Sequence, residues 1–292
     1  SWVNDETVSF TGMGLYNITL QWSLITESLN NSIHSKSAHG FGSIVAGHAT
    51  GTQPRITLHH NLYAHHNKRN PHFAGDRKGN PPGSLTDFRN NVIYDWGKLA
   101  AHNYTPQYTS INFMNNYFKP GPSTNEQQQS IAMTTGSENA HIYASGNHIT
   151  SLPKADKNNW AMINTERGAT RLDKPLPTPP VHTSDATTAY EQVLASGGAF
   201  PRDEVDNRII EQVRNNKGHI INSIYEVGGW PNYTRNKAPA DSDGDGMPDR
   251  WEKEHDFDPN DPADGSADRD NDGYTNLEEY LHWAHRQVTN NN

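Results

Sequence analysis

The chain has 292 residues, no cysteine and only 32% hydrophobic residues, which rules out a disulfide framework, a thiolate metal site and a cysteine nucleophile. The formal net charge is -9 and it is unevenly placed: 9 basic against 8 acidic residues up to residue 150, then 15 against 25. The acid therefore sits in the second half, which argues against nucleic acid as a partner, and no apolar run is long enough to span a bilayer. The opening "SWVNDETVSF" reads neither as a signal peptide nor as a natural start.

Residues 1–150 repeat one theme. Short β-branched and aromatic runs end at an asparagine or its equivalent: "NITLQWSLI", "ITLHHNLYA", "TDFRNNVIY", "INFMNNYF" and "HIYASGNHI". Asn61, Asn91, Asn116 and Asn147 recur at spacings of 30, 25 and 31 residues. That period is too long for hairpins and suits one turn of a parallel β-helix, with Val, Ile, Leu and Phe inside. A buried asparagine at each corner would bond to neighbouring coils as a ladder. The rival is an antiparallel sandwich, against which tight-turn dipeptides are scarce.

Residues 151–235 change character and are expected to pack on the solenoid. "LDKPLPTPPVHT" should run extended over the surface. "SDATTAYEQVLASGG" reads as a helix with a serine N-cap and a Gly-Gly stop. "DEVDNRIIEQVRNNKG" places Val205, Ile209 and Val213 on one face of a second helix ending at Gly218.

Residues 236–292 open with a linker, "NKAPA", and continue with two calcium-loop patterns. "DSDGDGMPDRWE" sets Asp241, Asp243, Asp245, Asp249 and Glu252 at loop positions one, three, five, nine and twelve, with Gly246 sixth. "DRDNDGYTNLEE" repeats the pattern with Asp268, Asp270, Asp272, Asn276 and Glu279. Alternate residues of a tight loop supply the oxygens a hard cation needs; the competing reading is a solvated acidic linker. "NKAPA" is a poor helix former, so the loops are expected to act as structural clips rather than sensor hands.

"SWVNDETVSF", "NITLQWSLITESLNNSIHSKSAHGFGSIVAG", "ITLHHNLYAHHNKRNPHF" and "EVGGWP" together resemble secreted bacterial pectate lyases of the first polysaccharide lyase family, over residues 1 to about 235. The resemblance implies an all-β, right-handed, single-stranded parallel β-helix that cleaves α-1,4-linked polygalacturonate by calcium-dependent β-elimination. It implies a secreted or cell-surface monomer whose partner is acidic plant cell-wall polysaccharide rather than nucleic acid or membrane. By the same resemblance Arg69 is the base and Lys36, in "HSKSAHG", binds substrate carboxylate. Asp5, with Glu6 beside it, falls where the family supplies a calcium ligand. Lys68, His65, His66 and His72 would line the cleft and bind substrate.

Simpler roles stand beside these: Arg69 as a carboxylate clamp, Lys36 as a solvated turn lysine and Asp5 as a turn or cap residue. Zinc at the histidines is disfavoured, because His59 and His60, as strand neighbours, should face opposite ways. The sequence departs from the family twice. His72 stands where many relatives carry a second arginine, and the coil that supplies the first calcium aspartates is absent, so residue 1 is expected to enter mid-solenoid. A non-catalytic module binding acidic polysaccharide, or a pectin or rhamnogalacturonan lyase, is the alternative function.

Overall fold

The computed structural model describes residues 1–48, 52–76, 81, 83–104, 106–233 and 237–290, with side chains through residue 287. Asn236, the head of the expected linker, and residues 291–292 lie outside these. The chain forms two units: residues 1–199 with 204–230, and residues 200–203 with 231–292.

The first unit is built from three parallel sheets. One holds Glu6–Met13, Phe41–His48, His72–Phe73, Ala101–Asn103, Met133–Thr135 and Ile163–Thr165. The second holds Ile18–Gln21, Arg55–His59, Ser84–Arg89, Thr109–Met114, Ala140–Ser145 and Thr170–Arg171. The third holds Leu24–Thr26, Leu62–Ala64, Val92–Tyr94, Tyr117–Lys119 and His148–Ile149. Each strand pairs with the equivalent strand one coil away, as a parallel β-helix requires. Period-two alternation turns like residues inward at matching registers. Leu58, Phe88 and Phe113 align in one sheet, and Tyr63, Ile93, Phe118 and Ile149 in another. All of these are buried.

The asparagines form the ladder at the corner between the second and third sheets. Asn91 Oδ1 accepts from Asn61 N and Nδ2 (3.1 and 3.0 Å). Asn116 Oδ1 accepts likewise from Asn91, and Asn147 Oδ1 from Asn116. Each Nδ2 also donates to a carbonyl one coil back: Asn91 to Leu58, Asn116 to Phe88, Asn147 to Phe113. The residue before each rung is left-handed (Trp22, His60, Asn90, Asn115 and Gly146), which turns the chain sharply and aims the next peptide along the stack. Ser23 is the first rung, its amide donating to Asn61 Oδ1. The ladder ends on Asn159, only 12 residues after Asn147, because short 3-10 turns bring the chain back at once.

The third sheet is apolar on its outer face as well. Leu62, Ala64, Val92 and Tyr94 pack against helices α1 (Ala186–Ser196) and α2 (Glu204–Asn215). Residues 176–184 cross the second sheet in extended form, exchanging bonds between Leu176 and Asn112, Thr178 and Asp87, and Ser184 and Asn90. Three sequence expectations shift. Strands continue to Arg171, so the solenoid does not stop at residue 150. Asp185 rather than Ser184 caps α1, accepting from Thr187 and Thr188. Helix α2 stops at Asn215, and Asn216 turns left-handed before Gly218 is reached.

The second unit carries two acidic loops, each leading into a helix: α3 (Asp249–Glu254) and α4 (Asn276–Asn290). Trp251 packs on His255, Phe257 and Tyr280.

Asn91→Ala should lower the unfolding free energy by about 2–4 kcal/mol, since it strips partners from buried amides on both sides. Denaturant unfolding followed by far-ultraviolet circular dichroism would read this; a loss under about 1 kcal/mol would mean the ladder contributes little.

Candidate functional site

The turn that carries Arg69 links the third sheet to the first. Asn67 fastens it: its amide donates to Gly40 O, its Nδ2 to Asn30 Oδ1, and its Oδ1 accepts from Lys98 N. Lys68 bridges to Phe41, and Ser43 N donates to Arg69 O (2.7 Å). Arg69 is left-handed (φ 64°), so its side chain leaves the turn away from the core. The strand opposite must come close: a Cβ on Gly42 would lie 2.5 Å from Arg69 O.

The Arg69 guanidinium lies over the Phe41 ring, 4.2 Å from its centroid, and forms an ion pair with Glu6. Both contacts favour the charged guanidinium. Phe41 in turn meets His39, which stacks on His34 with 4.2 Å between centroids. His39 Nε2 lies 3.2 Å from Asp5 Oδ1, and His34 Nε2 lies 3.6 Å from Asp5 Oδ2. Burial, opposed by Asp5 and reinforced by His34, Lys36 and Lys68, lowers the pKa of His39. Lys36 sits exposed on a tight turn in which Ser37 N donates to His34 O and Lys36 N to His34 Nδ1. Lys68, half-buried, has its pKa lowered by burial and then by Lys98. His72 pairs with His102 across the first sheet and stacks on it at 4.5 Å. Burial, then His72, Arg69 and Lys68, hold His102 neutral well below the usual histidine range. The structure thus gathers Asp5, Glu6, Lys68 and Arg69 with His34 and His39, and Lys36 stands close enough for its charge to act on His39.

Two expected cleft residues are elsewhere. His65 is fully buried beneath α2, its Nδ1 donating to Asp95 Oδ2 (2.7 Å) and its Nε2 lying 3.1 Å from Gln212 Oε1. His66 is fully buried too, with Nδ1 at 2.6 Å from Ser28 Oγ and Nε2 donating to Ile25 O. A helix returning some 140 residues later covers this corner, which local pattern does not reveal. His59 and His60 do not face opposite ways either. The left-handed turn at His60 sets their Nδ1 atoms 2.8 Å apart, and His60 stacks on Trp22.

Calcium takes six to eight oxygens. Near Arg69, Asp5 could serve as one ligand: its oxygens face His39 Nε2 (3.2 Å) and His34 Nε2 (3.6 Å), and the three side chains converge as a group that could hold an ion. Glu6 could not, since it is held by Arg69. In the second unit Asp241, Asp243 and Asp245 converge, as do Asp268, Asp270 and Asp272. Asp249 turns away, with both oxygens on Ser242 (2.6 and 2.8 Å). Asn276 holds the matching place in the second loop, accepting from Arg269 N. Glu279 stands outside the second cluster.

No protein-family model matches the chain. It is 31% identical over 299 residues to the probable pectate lyase C of Aspergillus flavus, covering 99% of this chain and 64% of that protein. The probable pectate lyase C of Aspergillus oryzae gives the same identity and coverage, and that of Emericella nidulans is 31% identical over 301 residues, with 62% of it covered. The chain therefore spans just under two thirds of these relatives. They are fungal, whereas the motif resemblance pointed to bacterial enzymes. Among the described residues no helix is long and apolar enough to cross a membrane.

Burial pushes His66 down to about 3, opposed by its bond to Ile25 O and reinforced by His65. Burial, then His59 and His182, push His60 down to about 4. Such groups fold neutral, so the stability they support is full above their ordinary 6.5 and lost as pH falls toward those values. The melting temperature should drop between about pH 6.5 and pH 4, and His66→Asn, which keeps a donor for Ile25, should flatten part of that slope. An identical slope in the variant would contradict the assignment.

Proposed function

We propose that this chain is the lyase portion of a secreted pectate lyase that cuts unesterified α-1,4-polygalacturonate by β-elimination, leaving a 4,5-unsaturated sugar. The observation that carries the reading is the Arg69 cluster, in which Arg69 pairs with Glu6, Asp5 meets His34 and His39, and Lys36 and Lys68 stand close enough for their charge to act on His39. The names of the similar proteins support the same activity. A right-handed winding of the solenoid, a monomeric state and a cell-wall polysaccharide partner belong to this proposal, and neither nucleic acid nor membrane does.

The demanding step is removing a proton from carbon 5 beside a carboxylate. Lys36, exposed at the tip of its turn, is placed in this reading against a uronate carboxylate, whose charge its compact ammonium neutralises. Arg69 can act only as the neutral guanidine, so it must give up its ion pair with Glu6 and lose a proton to solvent; it then takes the carbon-5 proton while the bond from carbon 4 to the glycosidic oxygen breaks and that oxygen is protonated from water. Until substrate arrives, Glu6 holds the charged guanidinium in position. His72, packed on His102, supplies a flat wall to the cleft where many relatives carry a second arginine. Calcium held by Asp5 together with the polymer's own carboxylates would supply positive charge that stabilises the developing enolate. Methyl esterification would remove the carboxylates that all these groups recognise.

The test is ultraviolet absorbance of unsaturated product on polygalacturonate. Wild type should be active, chelation should abolish turnover, and Arg69→Lys should lose about a hundredfold or more while keeping its circular dichroism spectrum. Binding of polygalacturonate without product would favour the non-catalytic module, and a folded Arg69→Lys variant at near full rate would remove Arg69 from the mechanism.

A further inference from the structure

The first acidic loop assembles more than the sequence pattern specifies. Glu252 of α3 is fully buried, and neither of its carboxylate oxygens has a hydrogen-bond donor. Asp243 Oδ2, Asp245 Oδ2 and Asp264 Oδ1 are likewise shielded and without donors. Asp245, Glu252 and Asp264 bring their oxygens within 4.8 Å of one another, and Asp245 is shared with the Asp241–Asp243 group.

The partner atoms explain the geometry. In each aspartate one oxygen is used by the backbone: Asp243 Oδ1 accepts from Asp245 N, Asp245 Oδ1 from Met247 N, and Asp264 Oδ2 from Asp258 N. Those bonds fix each carboxylate so that its other oxygen faces the common centre. Five donor-less oxygens on four carboxylates would repel one another strongly in a site closed to water. Burial first, then the charges of Asp243, Asp245, Asp264 and Asp249, drive Glu252 up to about 7. A hard divalent cation removes the whole conflict, and six to eight oxygens at flexible angles is a calcium shell rather than a magnesium one.

We propose that one Ca2+ is held by Asp241, Asp243, Asp245, Glu252 and Asp264, with Asp264 taking the coordinating role that loop position nine would otherwise give to Asp249. Asp264 lies twelve residues beyond Glu252, outside any single-loop template. Its neighbour Gly265 sits hard against the first loop, where a Cβ would be 2.3 Å from Asp245 Oδ2. The same two residues hold the start of the second loop's helix: Asn276 Nδ2 donates to Asp264 O (2.6 Å) and Leu277 N to Gly265 O (3.1 Å). The ion in the first loop thus fixes the N-terminus of α4 and couples the two loops into one unit. This assignment is independent of the lyase reading.

The test uses the full chain, with calcium and with terbium as the luminescent probe sensitised by Trp251. Asp264→Asn should weaken one calcium-binding step by about tenfold or more, whereas Asp249→Asn should stay within about threefold of wild type. Equal affinity for wild type and Asp264→Asn, or an equal loss in Asp249→Asn, would overturn the proposal. Hydrogen exchange on the unmodified chain guards against misfolded variants. Calcium should slow exchange at residues 258–266 and in the first turn of α4 together; protection confined to residues 241–252 would also overturn it.

Discussion

An asparagine side chain that serves two coils at once is the interaction on which the first unit depends. At the corner between the second and third sheets the chain turns through a left-handed residue, and the next peptide leaves the strand ladder while still buried. Leaving such amides and carbonyls unpaired costs more than any single hydrogen bond returns. Asn61, Asn91, Asn116 and Asn147 answer this by accepting from the rung before and donating to a carbonyl of the previous coil. Because every rung depends on both neighbours, the coils cannot slip in register without breaking several bonds.

That fixed corner decides where the chain can vary. From Ser23 to Asn61 a coil runs 38 residues, while from Asn91 to Asn116 it runs 25. The surplus goes into the segment after Thr26, which carries His34, Lys36 and His39 back over Asp5. The next coil adds the Arg69 turn on the same side. The candidate site is therefore made of what the ladder leaves unconstrained, mounted on strands it holds rigid. The second unit draws the carboxylates of its loops together beside a small aromatic cluster around Trp251.

Much of this was legible in the residues, and the rest failed for definite reasons. The ladder asparagines stood out because residue type and period agreed. Arg69, Lys36 and Asp5 were reachable through motif resemblance alone. His34 and His39 were missed: five residues apart on an irregular loop, they meet Asp5 only through tertiary closure. Glu6 was read as a metal ligand because sequence does not show that Arg69 reaches it first. His65 and His66 looked like cleft residues in a histidine-rich run. Yet α2 covers the first through Gln212, and the ring of the second is held inside by Ser28 and Ile25. Asp264 escaped because a twelve-residue template ends at Glu252, whereas the buried carboxylates recruit their partner from beyond it.

In the proposed mechanism the Arg69 cluster removes a proton from carbon rather than directing water at a glycosidic bond. The most direct measurement is mass spectrometry of products from a defined galacturonate oligosaccharide digested in heavy-oxygen water. Elimination predicts fragments whose masses sum to that of the substrate, one of them unsaturated, with no heavy oxygen at the new chain end beyond slow exchange. Saturated fragments carrying one heavy oxygen per cut would show hydrolysis and contradict the account.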